Sequence, residues 1–342
     1  MINRKKNLLV YITAIIFTGI VLTGCEYSLS FSNTTRYSMA DTKELKIEKT
    51  KVEALKRINI DSRIGDIEFI KSDDFYIEID YWYFLEKPEY KMDNGILEFD
   101  DYRSFPQSYN LDFNLKNRIK IYLPEKADLE RIDIKAASGD ISLSDFLTDQ
   151  LKVSVAYGDL ELINAEVKTA DISMASGSSE ISDFNMENLS YSNSYGEAGF
   201  KNINVKATDH NPDPAKSSMK ISMASGDGTF DTVTGKTMDI SNSYGNISCK
   251  GMVMEQLDAD LSSGNLKVTD SSVGNLDLSN SYGDVILQLK GKARDYKLDL
   301  GTSYGSIEVE GESYDGHLRR ENGGVNSISA DLSSGDIELV FE

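Results

Sequence analysis

The sequence has few of the residues that most often carry out chemistry in proteins. It contains two histidines, two cysteines and one tryptophan among 342 residues. No nucleophile, base and orienting group come together, and no pair of carboxylates stands out from the rest. We therefore predict a protein that is not an enzyme and needs no cofactor. A polysaccharide lyase or hydrolase is the enzymatic alternative, because such activities occur on large parallel β-helices.

Basic residues are scarce relative to acidic ones. There are 36 Lys and Arg against 56 Asp and Glu, and three of the basic residues precede residue 25. The chain from residue 25 onward therefore has 33 basic and 56 acidic residues, a net charge of −23. Such a surface cannot neutralise phosphates over a broad area, so we predict no binding to nucleic acid. It would also be repelled by anionic lipids and wall polymers, except at local basic patches.

The N-terminus is organised like a lipoprotein precursor. Three basic residues precede an apolar run, residues 8–21, which is shorter than the ~20 residues of a spanning helix. The run ends in Leu22-Thr23-Gly24-Cys25, which resembles the lipobox of bacterial lipoproteins. This resemblance implies that residues 1–24 are removed, that Cys25 is diacylated, and that the protein stays on the extracytoplasmic face of the cell membrane. A transmembrane anchor is the alternative.

The segment that follows is polar and has no periodicity. We predict that residues 25–50 form a tether between the membrane and the folded part of the chain. The folded part is predicted to span residues 51–342, with an irregular N-terminal part at 51–135 and regular repeats at 136–342.

Glycine is the most regularly placed residue in the repeat region. Most successive members of one set of ten are 19 residues apart, and only the steps that begin at Gly196, Gly283 and Gly305 are longer. Self-similarity at about 20 residues indicates a solenoid, whose units bury their apolar faces by stacking. The set consists of Gly139, Gly158, Gly177, Gly196, Gly226, Gly245, Gly264, Gly283, Gly305 and Gly335.

Apolar residues alternate with polar ones on both sides of these glycines. The second and fourth residues after each glycine form two mainly apolar columns, as at Ile141 and Leu143, and the seventh and fifth residues before it form two more. Period-two alternation indicates strands with one buried face. We therefore predict an all-β fold, a single-chain parallel β-solenoid of ~19-residue strand-turn-strand units, right-handed by the usual crossover preference.

Cysteine contributes nothing to the cohesion of this fold. Cys249 occupies one of the inward columns, so we predict a buried, unreactive thiol. If Cys25 is acylated, no intramolecular disulfide can form. Stability must then come from the stacking of strands.

The residue before the glycine alternates between Ser and Tyr along the chain. Only Tyr304 followed by Ser334 breaks the order. Three of the Tyr units also carry Asn two residues earlier, where the Ser units carry an apolar residue. We interpret this as a 38-residue coil in which Tyr stacks on Tyr and Asn on Asn. A 19-residue coil, with Ser spacing the aromatic residues, is the alternative.

Asp or Asn follows most of the glycines, as at Asp140 and Asp159. Stacked carboxylates bind calcium in nine-residue glycine-aspartate repeats, but the doubled glycines of that motif are absent here. Asx residues are favoured in turns in any case, so we predict no metal site.

Two of the longer steps contain insertions at the same place in the repeat. They lie in Lys201–Ser218 and Glu310–Ser327 and contain both histidines of the chain. Insertions that leave a solenoid undisturbed often carry its function, so these loops are the candidate partner-binding sites. The two histidines are five glycine units apart, too far for one metal ion. The candidate binding residues are Asp209, His210, Asp213, His317, Arg319 and Arg320, and the two arginines form the best local basic patch.

One part of the chain resembles a known family. The string Ile119-Lys-Ile-Tyr-Leu-Pro124, followed by Leu129, Ile132, Ile134 and Ser138–Ile141, is similar to the bacterial putative-adhesin domain of β-strand repeats, a domain of unknown function common in Gram-positive envelopes. The resemblance covers roughly residues 55–342. It implies a β-solenoid at the cell surface or facing the envelope, sometimes linked to envelope-stress systems, and it offers no catalytic motif.

Two functions remain. The first is a lipid-anchored binding or scaffold module with an envelope protein as partner, for example within an envelope-stress or signalling assembly. The second is a surface adhesin that binds carbohydrate or wall polymer. A tether of about 25 residues has a reach of only ~25 to 30 Å, which favours the first.

Overall fold

The computed structural model of the chain describes residues 41–104, 116–125, 127–206, 217–321 and 323–342. The predicted signal peptide, Cys25 and most of the predicted tether lie outside these ranges. Within them, no helix combines the length and apolar character needed to cross a membrane. The strands are β1 (Lys43–Lys51), β2 (Arg57–Ser62), β3 (Asp66–Ser72), β4 (Tyr76–Tyr83), β5 (Glu89–Asp93), β6 (Ile96–Asp100), β7 (Arg118–Pro124), β8 (Ala127–Ser138), β9 (Ile141–Tyr157), β10 (Leu160–Ser176), β11 (Ser179–Tyr195), β12 (Ala198–Val205), β13 (Ser218–Ser225), β14 (Gly228–Tyr244), β15 (Ile247–Lys250), β16 (Val253–Ser263), β17 (Leu266–Tyr282), β18 (Val285–Leu289), β19 (Tyr296–Val309), β20 (Glu312–Arg320), β21 (Asn326–Ser334) and β22 (Ile337–Phe341).

The regular part is a parallel stack of 19-residue coils, so that Ser142 and Glu161 lie side by side. Leu160 of β10 lies between Ile141 of β9 and Ser179 of β11, and the same register continues along these strands. The predicted single-chain parallel β-solenoid is therefore confirmed. The interpretation of a 38-residue coil is wrong, because each 19-residue unit contains a complete set of inward residues and closes a coil by itself.

The predicted inward columns form the core. Ile141 and Leu143 are 1% and 0% exposed, and their counterparts in the other coils are equally buried. Cys249 is also fully buried, and burial raises the pKa of its thiol to about 12. The predicted burial of Cys249 is confirmed, and a thiol with this raised pKa forms little thiolate at neutral pH.

Glycine is required at the predicted corner because the backbones of successive coils approach each other there. A Cβ atom on Gly245 would lie 2.1 Å from the carbonyl oxygen of Gly226 in the adjacent coil. The φ angle of Gly245 is +128°. Nine of the ten predicted glycines have φ between +128° and +142°. Both the conformation and the close approach therefore exclude a side chain.

A second corner lies six residues after most of the glycines. Asp145, Asn164, Asp183 and Asn202 occupy this position with φ between 52° and 59°, the left-handed conformation that Asx residues tolerate. Their side chains are linked from coil to coil, as in the 2.8 Å bond from Asn202 Nδ2 to Asp183 Oδ1.

The C-terminal end of the stack does not follow the order of the chain. After β18 the chain skips one position, forms β19, and returns through the antiparallel strand β20. The last two strands then fill the skipped position. β21 lies between β17 and β19, and β22 lies between β18 and β19.

The N-terminal end has the same design in reverse. β2 lies between β6 and β8, and β3 lies between β7 and β9. Antiparallel strands again cover the outside, with β5 on β6, β4 on β7 and β1 on β4. The prediction of a tether extending to residue 50 is wrong for residues 43–50, because this polar segment is the outermost capping strand.

Candidate functional site: an exposed row of tyrosines

Five large aromatic side chains project from one corner of the stack. Four of them are 64% to 67% exposed and the fifth, at the C-terminal end, is 80% exposed. Their similar exposure shows that equivalent backbone positions hold them in similar settings. We call this set the tyrosine row; it consists of Tyr157, Tyr195, Tyr244, Tyr282 and Tyr304.

The tyrosines are separated by serines in strict alternation. Tyr195 lies between Ser176 and Ser225, and the same order holds throughout the stack. Because neighbouring strands lie ~4.8 Å apart, the tyrosines recur every ~9.6 Å and the row spans ~38 Å. The prediction that Tyr stacks directly on Tyr is wrong, since a serine always intervenes.

The inverted C-terminus explains the one exception in the sequence. Tyr304 precedes Ser334 along the chain, but in space Ser334 lies between Tyr282 and Tyr304. The alternation broken in sequence is therefore intact on the surface. Because the last coil lies between two earlier ones, serine and tyrosine still alternate along the whole row.

Buried asparagines hold three of the corners that present these tyrosines. Asn193 donates from Nδ2 to the carbonyl oxygen of Gly177 at 3.0 Å and accepts from the backbone N–H of Tyr195 at 3.2 Å. Asn280 donates in the same way to the carbonyl oxygens of Gly264 and Gly283. The predicted stacking of Asn on Asn is wrong, because these amides bind glycine carbonyls instead. Their role is to fix the backbone beneath the rings.

Small side chains lie beside the tyrosine row on the strands that lead to it. The second and fourth positions before each glycine are mostly Ala and Ser, which leaves a low surface next to the rings. We call this surface the floor; in the coils around Tyr244 and Tyr282 it is formed by Ser241, Ser243, Asp260, Ser262, Ser279 and Ser281.

Carboxylates border the floor on the side away from the rings. Asp239, Asp258 and Asp277 lie directly opposite one another in three consecutive coils, and we call them the carboxylate row. None of the three forms an ion pair with another described residue, although Lys220 lies next to Asp239 in the adjoining coil. Like charges facing each other across strands destabilise a sheet. The pKa of Asp239 is raised, first by burial and then by Asp258.

The acidic residues that follow the glycines have a structural use. Asp140 Oδ1 accepts the backbone N–H of Asp159 at 2.9 Å, and Asp227 Oδ1 accepts that of Asn246 at 2.7 Å. These bonds tie each corner to the next. Among the described residues, no group of three or more His, Cys, Asp and Glu side chains is arranged to hold a metal ion.

The predicted binding residues fall into two groups. Asp209, His210 and Asp213 lie outside the described residues. His317, Arg319 and Arg320 are on β20, so the second insertion is a capping strand and not a loop.

The three C-terminal candidates are also paired within the chain. His317 Nε2 is 2.8 Å from Asp299 Oδ1, Arg319 contacts Glu321 at 3.2 Å, and Arg320 contacts Glu312 at 3.3 Å. The predicted basic patch is therefore largely matched by neighbouring acids. A role of these residues in binding stays a prediction.

A family profile matches most of the chain. The Toastrack DUF4097 profile aligns with residues 55–227 and again with residues 171–340. The chain belongs to the Toastrack DUF4097 family. The overlapping matches agree with a repeat in which every coil resembles the others, and they confirm the resemblance to a β-repeat domain of unknown function. A comparison with curated proteins finds no match.

Three solved structures show low similarity to this Toastrack chain. A "putative cell adhesion protein" from Clostridium sporogenes is 13% identical, covers 88% of this chain and 100% of its own, and has a TM-score of 0.29. A "putative adhesin" from Bacteroides fragilis is 14% identical, with coverages of 68% and 99% and a TM-score of 0.33. A "putative lipid binding protein" from Parabacteroides distasonis is 11% identical, with coverages of 90% and 100% and a TM-score of 0.34. TM-scores this low support no conclusion about function.

Sequence reasoning found the Ser and Tyr alternation but did not recognise it as a surface. The decisive quantity is the coil length, because a 38-residue coil would stack the rings on each other. The small residues at the second position before each glycine were an available signal, since they predict an open surface beside the rings. The carboxylate row could not be predicted in this way, because it depends on which residues face each other in neighbouring coils.

Proposed function

We propose that this protein is a non-catalytic binding module of the cell envelope, attached through Cys25 to the outer face of the membrane, whose binding surface is the tyrosine row. The observation that carries the proposal is the exposure of five tyrosines at equal spacing. A soluble fold does not need such a row, because Ser occupies the same position in the alternate coils. Repeated exposed aromatic residues are typical of interaction surfaces.

The lack of catalytic activity is part of the proposal. The acidic groups on this surface form a row of facing carboxylates with Lys220 beside Asp239, and the described residues contain no group of three or more His, Cys, Asp and Glu side chains that could hold a catalytic metal ion. The low surface between the rings and the carboxylates suits an extended ligand more than a small molecule. An elongated partner that runs along the stack would contact several coils at once.

Both earlier hypotheses fit this surface. A scaffold within an envelope-stress or signalling assembly would use it to hold a protein segment, and an adhesin would use it to hold a glycan. The rings recur on alternate coils along the stack, which lets either ligand lie along it.

Site-specific photo-cross-linking in cells tests the proposed role. A photoreactive phenylalanine analogue would replace Tyr244 in the row or, as control, Tyr102, which is equally exposed at 64% but follows β6 at the N-terminal end and is not one of the five tyrosines. We expect a cross-linked product from position 244 and none from position 102. Products from both positions, or from neither, would contradict the proposal.

Membrane attachment has its own test. Fatty-acid labelling of the wild type and of Cys25→Ser should give a labelled membrane protein only in the wild type. Labelling of the variant would show that another residue carries the anchor.

A further inference from the structure

We propose that the ligand of the tyrosine row is a proline-rich polypeptide segment in the polyproline II conformation, with a basic residue at every third position. This inference rests on the proposed binding role of the row and specifies the class of partner. The argument uses the period of the row, the charge beside it and the shape of the floor.

The period of the row matches a polyproline II helix. Such a helix has three residues per turn and a rise of ~3.1 Å per residue, so equivalent side chains recur every ~9.3 Å along one face. The tyrosines recur every ~9.6 Å. Over the four intervals of the row the two periods differ by only ~1.2 Å in total, which is less than the width of one ring. One proline per turn can therefore meet one tyrosine throughout.

Other peptide conformations fit this row poorly. In an extended strand, three residues cover ~10 Å, but side chains three apart point to opposite faces. In an α-helix, seven residues cover ~10.5 Å. Over the four intervals of the row, side chains at this spacing would end ~3.6 Å beyond the last tyrosine. Only the polyproline II helix keeps both the spacing and the facing direction.

The charges beside the floor select a basic ligand in the coils of Tyr244 and Tyr282, whereas Lys152 and Lys220 occupy the same column in other coils. The carboxylate row lies five residues from the tyrosine row along the strand, which is ~16 Å. A helix laid on the floor would face the rings with one side and the carboxylates of Asp239, Asp258 and Asp277 with another. Lysine or arginine on that side would relieve the repulsion between these facing carboxylates. A neutral glycan would leave them unmatched, and an anionic polymer would be repelled.

The floor leaves room for such a helix. Its Ser side chains and the neighbouring Ala positions are small, Asp260 is the one larger residue among those named, and the exposed rings lie at the corner beside them. Aromatic rings beside a shallow surface are the feature that proline-rich ligands recognise, and their preformed helix loses little entropy on binding. The buried asparagines keep the ring spacing fixed, since they hold the corners of Tyr195, Tyr244 and Tyr282.

The test measures binding of defined probes to the full-length protein purified in detergent. The peptide (Pro-Pro-Lys)5 is compared with (Gly-Ser-Lys)5, which has the same charge but no preformed helix, and with (Pro-Pro-Glu)5. We expect the first to bind at least about tenfold more tightly than either control. Tight binding of (Gly-Ser-Lys)5 would show that charge alone is read and would overturn the inference.

Paired variants show whether the row and its period are responsible. Tyr244→Ser with Tyr282→Ser gives these coils the residue that their neighbours already have, and we expect about tenfold weaker binding of (Pro-Pro-Lys)5. Tyr102→Ser is the matched control and should change nothing. Ser225→Tyr with Ser263→Tyr adds rings at half the period and should also weaken binding. Stronger binding by that variant would point to unspecific aromatic contact and would overturn the inference.

A glycan probe separates this inference from the proposed function. A β-1,4-linked hexamer of N-acetylglucosamine is tested against the same variants. The hexamer could bind the wild type and bind more weakly to Tyr244→Ser with Tyr282→Ser, while the proline peptide does not bind. In that case the ligand class is wrong, but the binding role of the row stands. If no row-specific cross-link forms in cells either, the proposed function fails as well.

Discussion

The middle of the stack and its two ends cover the strand edges of their coils in different ways. In the middle, each coil is covered by the next, and the order of strands in space is the order in the chain. At both ends a coil is displaced by one position, and an antiparallel strand covers the outside. The difference shows that the repeat provides the core and carries the proposed binding surface, while the ends provide closure.

Closure matters because an uncovered coil would offer unpaired backbone groups to other chains. Edge strands of this kind promote aggregation unless they are short, charged or covered. β20 is such a cover, since only Leu318 among its residues is buried and most of the others are charged or polar. The insertion that sequence reasoning interpreted as a loop therefore has a structural role as a capping strand.

The largest expected effect comes from adding one methyl group to a central corner. Gly245→Ala places a Cβ 2.1 Å from the carbonyl oxygen of Gly226, in a backbone conformation that alanine disfavours. We expect a loss of more than about 4 kcal/mol in the free energy of unfolding, measured by urea denaturation. Gly311→Ala, where nothing lies within 4 Å, should cost only about 1 to 2 kcal/mol. Equal losses would mean that close coil contact is not what requires glycine.

Removing the C-terminal cap should change association more than folding. Deleting residues 311–321 restores a 19-residue step between Gly305 and Gly335 and removes β20. We expect self-association of the deletion variant in analytical ultracentrifugation, because the edge of β19 loses its antiparallel partner. The control, Arg319→Gln with Arg320→Gln, keeps β20 and should sediment like the wild type. A monomeric deletion variant would show that the cap is not needed to protect the edge.

The N-terminal end should show a distinct dependence on pH. Asp101 is fully buried, accepts the backbone N–H of Arg63 at 2.8 Å and is bonded to the Tyr81 hydroxyl. Burial raises the pKa of Asp101 from 3.8 to about 6. The folded state therefore holds this proton more tightly than the unfolded state. The stability from Asp101 is complete below about pH 4 and is lost as the pH rises towards 6, a change of about 3 kcal/mol.

A comparison with Asp101→Asn isolates this contribution from the other carboxylates. Both proteins are unfolded in urea at pH 4, 5, 6 and 7. The unfolding free energy of the wild type, relative to that of the variant, should decrease as the pH rises to 6. A constant difference would mean that Asp101 does not titrate in this range.

The smallest effect on stability is expected at the tyrosine row. Tyr244→Ser should change the free energy of unfolding by no more than about 0.5 kcal/mol, because the ring is 66% exposed and serine fits the same corner. Thermal unfolding of the variant and wild type checks this. A much larger loss would assign the ring a structural role and weaken its interpretation as a binding surface.

The repeat made most of the middle predictable. The 19-residue glycine spacing and the alternation at positions such as Ile141 and Leu143 identify the strands, the corners and the buried face, because each coil repeats the same local chemistry. The fate of Cys249 follows from the same column. These features depend only on residues within one coil.

The ends and the site were less predictable because they depend on contacts between coils. Nothing local in β20 distinguishes a loop from a capping strand, and nothing in Ser334 states that it lies between Tyr282 and Tyr304. The coil length has the same origin, since a 19-residue coil and a 38-residue coil have identical strand patterns. The break in the Ser and Tyr order was the one clue in the sequence that the chain order and the spatial order differ.

Disulfide trapping tests this inverted order most directly. In the structure Ser279 faces Asp331 in the adjacent coil, whereas a stack in chain order would place Gly301 there. In a Cys25→Ser background, Ser279→Cys with Asp331→Cys should form a disulfide on mild oxidation, because adjacent strands bring the Cα atoms to ~4.8 Å. Ser279→Cys with Gly301→Cys should not, since those positions are two coils and ~9.6 Å apart. The opposite result would contradict the inserted coil and, with it, the regular tyrosine row.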